Sequence, residues 1–119
     1  MNHKQQKLRN LLNENLAILD ASQSTLVRSF DKCQKIGVKK TYSFEELESF
    51  DSLTSKYART SDIFTQKVLI TLFKLLREDA VTFLDRANLA EKLSLITSAD
   101  DLITIRDLRN QIAHEYKQE

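Results

Sequence analysis

Apolar residues recur at intervals of three, four or seven along the first third of the chain. These positions are Leu8, Leu12, Leu16, Leu19, Leu26 and Phe30. At about 100° per residue they fall on one side of a helix, which predicts a first helix over residues 4–35. Gly37 is the one glycine in the sequence and should mark the end of this helix.

A second helix is predicted to begin after Ser43, which stands three residues before Glu46 as in a capping box. Its inner side would carry Phe44, Leu47, Phe50 and Leu53. From residue 61 to 76 apolar residues point in almost every direction, which is typical of a helix that is central or is covered by a second subunit. The pattern leaves open whether residues 44–77 form one helix or two with a kink near 57–61.

Two further helices are predicted in the last third of the chain. A short one covers residues 83–95, and the last one runs from Ala99 to about Tyr116. Ser98 followed by Asp100 and Asp101 favours this start, because a serine cap and early carboxylates match the unpaired amides and the positive end of the helix dipole. Four or five helices with short connections predict a single all-α domain over residues 1–119, an antiparallel up-down bundle.

Composition supports this plan and narrows the classes of function. The 119 residues include no proline, 41% are apolar, and the formal net charge is +1, which argues against a protein that coats nucleic acid through a general positive field. Cys33 has no second cysteine to pair with. The sequence shows no secretory signal and no run of about 20 apolar residues. We therefore expect a cytoplasmic protein with no membrane partner and no specific DNA binding.

The last helix combines an apolar seam with candidate chemistry. The seam comprises Leu102, Ile105, Leu108, Ile112 and Ala113, and the same arc includes Arg109 and Tyr116. A neighbouring face carries Arg106, Asn110 and His114 at intervals of four. Arginine binds a phosphate with two parallel hydrogen bonds, asparagine can orient it, and histidine moves protons near neutral pH. The ordinary structural interpretation is a solvated histidine, an arginine at the edge of the seam and a tyrosine that only packs.

The segment from Arg109 to Tyr116 resembles the motif of HEPN-domain proteins: an arginine, four residues, a histidine, any residue and a tyrosine. The similarity is greatest to HepT-type toxins, in which an asparagine often follows the arginine, as Asn110 does here. In that family the motif lies on the final long helix of an all-α bundle. The resemblance covers residues 98–116 with some specificity, and the rest of the chain agrees only in length and helical plan.

This resemblance implies a metal-independent endoribonuclease that forms a homodimer or a higher homo-oligomer. Arg109 and His114 of two subunits would share one catalytic cleft, Asn110 would assist them, and Arg106 with Arg109 would bind the RNA. One imidazole would deprotonate the ribose 2′-hydroxyl and another would protonate the leaving 5′-oxygen, while arginine stabilises the charge on the phosphorus. The expected products carry a 2′,3′-cyclic phosphate and a 5′-hydroxyl.

The resemblance also implies regulation at Tyr116. In HepT-type toxins the corresponding tyrosine receives AMP from a partner nucleotidyltransferase antitoxin of the MNT type. ATP and Mg²⁺ would then belong to the antitoxin, so the chain itself is expected to need no cofactor and no metal. A modified Tyr116 would place negative charge and bulk beside Arg109, since seven residues are two helical turns.

Two alternatives remain open at the level of sequence. The chain could be a catalytically inactive HEPN protein that serves as a binding or scaffold partner of a nucleotidyltransferase. It could also be a purely structural helical dimer in which the motif is coincidental, and then replacing His114 would change only surface charge.

Overall fold

A computed structural model describes the backbone of residues 2–118 and the side chains of residues 2–115. The helices are α1 (His3–Ile36), α2 (Phe44–Asp62), α3 (Leu69–Leu75), α4 (Phe83–Lys92) and α5 (Ala99–Gln118). A π-helical segment, Ile63–Val68, joins α2 to α3 without a break. The described chain therefore consists of four helical rods and contains no strand, which confirms the all-α prediction.

Helices α1 and α2–α3 form a long antiparallel hairpin held together by small polar residues. Asn15 Nδ2 donates to Thr71 Oγ1 (3.3 Å), the Ser22 and Thr60 hydroxyl oxygens lie 2.7 Å apart, and Cys33 Sγ donates to the Ser49 carbonyl oxygen. These partners are buried or half-buried. Small side chains let two helices approach closely, so the centre of this interface is polar and hydrogen-bonded rather than leucine-rich.

This packing corrects the predicted inner faces of the first two helices. Phe30 is 51% exposed and Leu16 is 43% exposed on α1, while Phe44 is 71% exposed and Leu47 is 50% exposed on α2. The physical reason is that the close seam lies beside the line of large apolar residues, which are left on its flanks. The hydrophobic periodicity predicted both helices correctly. It placed the centre of the α1–α2 interface on the large apolar residues, whereas the centre lies beside them on small polar residues.

The π-helical segment answers the question of a kink between residues 44 and 77. The helix stays continuous, and its backbone widens at residues 63–68, where the Leu69 N–H donates to the Phe64 carbonyl five residues back. Buried Thr65 donates its hydroxyl to the Ser61 carbonyl at 2.9 Å. Ser49 and Thr104 donate in the same way to the carbonyl four residues back within regular helix, so this bond accompanies the wider turn but is not specific to it. The wider turn rotates the apolar residues that follow and helps to bury them on several sides.

A second antiparallel hairpin, α4–α5, packs its first half against α3 to form the apolar core. The fully buried cluster consists of Leu69, Phe73, Ala87, Ala90, Ala99 and Leu102. The Ala99 N–H donates to Glu91 Oε1 at 3.0 Å and links the two hairpin helices near their junction. At the start of α5 the Asp101 N–H donates to Ser98 Oγ at 3.1 Å. The predicted Ser98 cap is confirmed, and α4 ends at Lys92, three residues earlier than predicted.

The boundary signals of the first hairpin are also confirmed. Gly37 follows α1 with a φ of 74°, and its N–H donates to the Cys33 carbonyl. The capping box has both of its hydrogen bonds, since the Glu46 N–H donates to Ser43 Oγ and the Ser43 N–H donates to Glu46 Oε1. Glu46 also pairs with Lys39 from the preceding loop.

Removing the charge of Glu46 is expected to change how stability depends on pH. The hydrogen bond from Lys39 and the backbone bond from Ser43 hold the pKa of Glu46 below its ordinary value of 4.5. A carboxylate with a lowered folded-state pKa stabilises the fold fully above its unfolded pKa and loses that effect as pH falls through the folded value. Glu46→Gln keeps the capping geometry, so urea unfolding should show a smaller stability loss below pH 4.5 than in the wild type. Glu48→Gln replaces an exposed glutamate on the same helix and is the matched control for removing one carboxylate.

The folded chain is elongated and leaves much apolar surface uncovered. Its radius of gyration is 16.9 Å, against about 13.5 Å expected for a compact domain of this length. Its accessible surface is 8463 Å², against about 6,600 Å² expected for a compact monomer of this mass. Exposed large residues include Leu11, Ile18 and Val27 of α1. None of the described helices is long and apolar enough to cross a membrane.

Candidate active site

Helix α5 carries the motif residues, and their side chains differ in how exposed they are. Asn110 and His114 are exposed, whereas Arg106 and Arg109 are half-buried against the neighbouring helices. The apolar seam is buried only at its start, because Leu102 is buried while Ile105 and Leu108 are exposed. The predicted seam is thus covered at Leu102, half-buried at Ile112 and Ala113, and exposed at Ile105 and Leu108 between them.

Arg109 is the motif residue with the most defined geometry. Its Nε donates to Asp62 Oδ1 at 2.7 Å and its Nη2 donates to Asp62 Oδ2 at 2.8 Å, a bidentate pair between α5 and the end of α2. Both side chains remain partly exposed, 28% for Arg109 and 42% for Asp62. The pair uses Nε and Nη2, so the third nitrogen, Nη1, takes no part in it.

The pair fixes the charge and the direction of the guanidinium. Hydrogen bonding to Asp62 raises the pKa of Arg109 above its ordinary value, and burial opposes this only in part. Arginine is a cation at all relevant pH values, so the ion pair fixes the position of the guanidinium and does not change its charge. Because the pair is partly exposed, it should stabilise the fold by no more than about 1 kcal/mol.

A second contact anchors the same part of α5 one turn earlier. The Tyr57 hydroxyl donates to the Ile105 carbonyl at 2.9 Å. Burial raises the pKa of Tyr57, which keeps the phenol protonated and able to donate. Tyr57 and Asp62 both belong to the last part of α2, so this segment holds α5 at two points on either side of one turn.

Arg106 is held on the other neighbour, α4. Its guanidinium lies 4.4 Å from the centre of the Phe83 ring, a cation–π contact, and its Nη2 is 3.3 Å from Asp107 Oδ1. The side chain is still partly exposed. Arg106 therefore packs on the first residue of α4 while the opposite face of its guanidinium stays accessible.

Arg109 and His114 do not point in the same direction from one chain. His114 lies five positions after Arg109, which corresponds to about 7.5 Å along an α-helix and about 140° around it. Asn110 lies between them in direction, about 40° from His114. The backbone at Tyr116 belongs to α5, and its side chain lies outside the described residues, so the predicted modification site stays a prediction.

A groove with mostly apolar walls lies away from the motif. It has a volume of about 520 Å³ between α1, α2 and the first half of α5, with Leu19, Leu26, Tyr57, Phe64 and Ile105 on its walls. Arg109, Asn110 and His114 do not line it. Within residues 2–115 no three histidine, cysteine or acidic side chains lie together as a metal site would require.

Sequence reasoning missed Asp62, the partner of Arg109. The sequence pattern leaves open a kink near residues 57–61 and gives Asp62 no partner. The available signal was a carboxylate directly before the most apolar part of the chain, while an arginine interrupted the apolar strip of the last helix. Two opposite charges at the borders of apolar faces are candidates for a pair, but spacing alone could not bring positions 47 residues apart together.

Replacing Asp62 tests whether the ion pair positions Arg109 for chemistry. On the ribonuclease prediction made from the motif, Asp62→Asn should lower the rate of RNA cleavage by about tenfold through kcat with a smaller change in KM, because a misplaced guanidinium loses contact with the transition state. Stability should fall by no more than about 1 kcal/mol. The measurement is single-turnover cleavage of a labelled RNA. Asp107→Asn removes the other acidic partner of an α5 arginine and is the matched control, and Asp62→Glu should restore part of the rate. Unchanged or faster cleavage by Asp62→Asn would assign the pair a structural or inhibitory role.

Comparison of the chain with protein-family models, with curated proteins and with solved structures finds no match in any of the three. The functional argument therefore rests on the residues themselves and on the geometry of α5 against α2.

Proposed function

We propose that the chain is a metal-independent endoribonuclease of the HEPN type, a cytoplasmic toxin that acts as a homodimer. The observation that carries the proposal is the guanidinium of Arg109, fixed by Asp62 at a partly exposed position on the helix that also presents Asn110 and His114. An arginine held by two hydrogen bonds, with Nη1 outside the pair, is suited to a phosphate oxygen. Asn110 and His114 follow on the accessible side of the same helix.

The proposed reaction is an intramolecular transfer at phosphorus. His114 of one subunit removes the proton from the ribose 2′-hydroxyl, and the 2′-oxygen forms a bond to the phosphorus. The bond from phosphorus to the 5′-oxygen breaks, and His114 of the other subunit donates a proton to that leaving oxygen. Arg109 stabilises the extra negative charge of the transition state, and Asn110 orients the phosphate. The products are a 2′,3′-cyclic phosphate and a 5′-hydroxyl.

Two features support a composite site shared by two copies. Arg109 and His114 point about 140° apart around α5, so one copy does not direct both side chains into the same cleft. A second copy that faces this helix would add its own Arg109 and His114 to a shared cleft. The exposed apolar residues Ile105 and Leu108 lie on α5 beside the motif. Together with the excess accessible surface of the monomer, they provide an apolar strip of the kind that subunit interfaces bury.

Control by a nucleotidyltransferase antitoxin is part of the proposal. Tyr116 follows Arg109 by two helical turns, so AMP attached to its hydroxyl would bring a phosphodiester to the side of α5 that carries Arg109. That phosphate would compete with RNA for the guanidinium. The antitoxin would use ATP and Mg²⁺, and this chain would be its protein substrate.

The alternative is an inactive HEPN partner of a nucleotidyltransferase, and one observation favours it. Arg109 is already neutralised by Asp62, which is also the arrangement expected of an arginine whose role is only to join α5 to α2. On this alternative the chain binds the nucleotidyltransferase but does not cleave RNA.

Expression of the chain alone, and together with its genomic neighbour if that gene encodes a nucleotidyltransferase, tests the proposal. We expect growth arrest and RNA cleavage that persists in EDTA with the chain alone, and rescue when the nucleotidyltransferase is present. Tyr116→Phe should remain toxic and escape rescue, because it lacks the hydroxyl that accepts AMP. Absence of both arrest and cleavage, with a stable complex between the two proteins, would support the inactive partner instead.

A further inference from the structure

A polar hollow, separate from the groove described above, lies between α1 and α2, far along the hairpin from the apolar core. It has a volume of about 230 Å³ and is lined by three cationic side chains, Arg28, Lys32 and Lys56. The rest of its lining consists of hydroxyl side chains: Thr25, Ser29, Ser49 and Ser52. We name this the basic pocket. It takes no part in the site described above.

The positive charge of the basic pocket is not balanced by the protein. No carboxylate is among its lining residues, and within the described chain neither Arg28 nor Lys32 forms an ion pair. Lys56 Nζ contacts only a hydroxyl, Ser52 Oγ at 2.5 Å. Three cationic side chains and no carboxylate line the hollow, so its local charge is positive and an anion would balance it.

The hydroxyl groups add hydrogen-bond donors to the same hollow. Thr25 and Ser49 already donate to backbone carbonyls of their own helices. Ser52 accepts from Lys56, so its own hydroxyl hydrogen is available, and the buried Ser29 hydroxyl makes no hydrogen bond among the described residues. With arginine and lysine, which can only donate, these groups form a site that has donors and positive charge but little acceptor capacity.

We propose that the basic pocket binds a phosphate group of the RNA strand at a position away from the bond that is cleaved. This inference rests on the proposed function for the identity of its ligand. A phosphodiester offers charged oxygens to several donors at once, which suits a guanidinium, two ammonium groups and two hydroxyls. Lys56 lies six residues before Asp62, about 9 Å along α2 and about 120° around it, so a strand that contacts both the pocket and Arg109 must curve around this helix.

The test compares RNA binding by two triple variants in a catalytically inactive His114→Ala background. The first combines Arg28→Gln, Lys32→Gln and Lys56→Gln, and the control combines Lys4→Gln, Lys7→Gln and Lys92→Gln at exposed positions elsewhere. Affinity for a single-stranded RNA is measured across a range of salt concentrations. The pocket variant should bind about tenfold more weakly, and its dependence of log K on log salt should be shallower by about 0.7, since one neutralised phosphate of a single strand contributes about 0.7. The control should keep most of the affinity and of the slope.

Two arms separate failure of this inference from failure of the proposed function. If the wild type cleaves RNA and the pocket variant matches the control in affinity and slope, the inference is wrong and the proposed function stands. If the wild type neither binds nor cleaves RNA, the proposed function fails, and the pocket is judged with inorganic phosphate and pyrophosphate at fixed ionic strength. A rise in Tm for the wild type that the pocket variant lacks would support a site that binds phosphate from a ligand other than RNA. If the Tm of the wild type does not rise, the pocket is not a phosphate site. The pocket variant should melt no lower than the wild type without ligand, because charge repulsion has been removed.

Discussion

We expect His114→Ala to slow RNA cleavage by about 10²- to 10⁴-fold while leaving the protein folded. This range is what a positioned general acid or base contributes to a proton transfer. His114 is exposed on α5, so its replacement should have little effect on the free energy of unfolding. The measurement is single-turnover cleavage of a labelled RNA in EDTA, with urea unfolding of the same samples.

The matched control for this experiment is His3→Ala, which replaces the other histidine of the chain. His3 is the first residue of α1 and is exposed, and His3→Ala should cleave RNA at the wild-type rate. Arg109→Ala should lose about 10²- to 10³-fold, as removal of a preorganised charge does. Arg109→Lys should remain impaired, because an ammonium group cannot reproduce the bidentate pair with Asp62. Wild-type rates in His114→Ala and Arg109→Ala would contradict the enzyme proposal.

The second large effect concerns the apolar core. Phe73 is 2% exposed and lies in the buried cluster that joins α3 to the α4–α5 hairpin. We expect Phe73→Ala to reduce the free energy of unfolding by about 3–5 kcal/mol, since it removes a large buried side chain and leaves a cavity. Small domains are stable by only about 5–15 kcal/mol, so much of the total would be lost. Urea unfolding followed by circular dichroism measures the change.

Phe44→Ala provides the matched control for the core. It is the same substitution on the same helical rod, at a residue that is 71% exposed. Its effect should stay within about 0.5 kcal/mol. Similar losses for the two variants would show that the core is not centred on α3 as described.

The sequence was sufficient to predict where most helices begin and end. Gly37, the Ser43–Glu46 box and Ser98 act through local hydrogen bonds and backbone geometry, so they could be recognised without knowledge of the tertiary structure. The ends of α4 and α5 were less well defined. In the absence of proline, no residue forces a helix to stop there.

What the pattern could not supply was how closely the first two helices approach each other. The interface is centred on small polar residues such as Asn15 and Ser49, and hydrophobic periodicity gives such residues no weight. The π-helical segment was equally hidden, because hydrophobic periodicity carries no signal for a local widening of the helix at residues 63–68. Both features arise from contacts between or within helices that only the packed chain reveals.

The candidate site was predicted in part. The motif from Arg109 to His114 was placed correctly on the last helix, and the exposed positions of Asn110 and His114 agree with a polar face. The ion pair with Asp62 could not be predicted, since it joins two helices that are distant in sequence. The pair gives the Arg109 guanidinium a fixed direction, on which the proposed role of this residue depends.

The most direct test of the central claim is the chemistry of the RNA ends. We predict that the wild type, in EDTA, produces a 2′,3′-cyclic phosphate and a 5′-hydroxyl, and that a strand with 2′-deoxyribose at the cleavage position is not cut. Both results require the 2′-hydroxyl as the nucleophile, as the proposed roles of His114 and Arg109 demand. Cleavage of the deoxy-substituted strand, or products with a 3′-hydroxyl and a 5′-phosphate, would contradict the account.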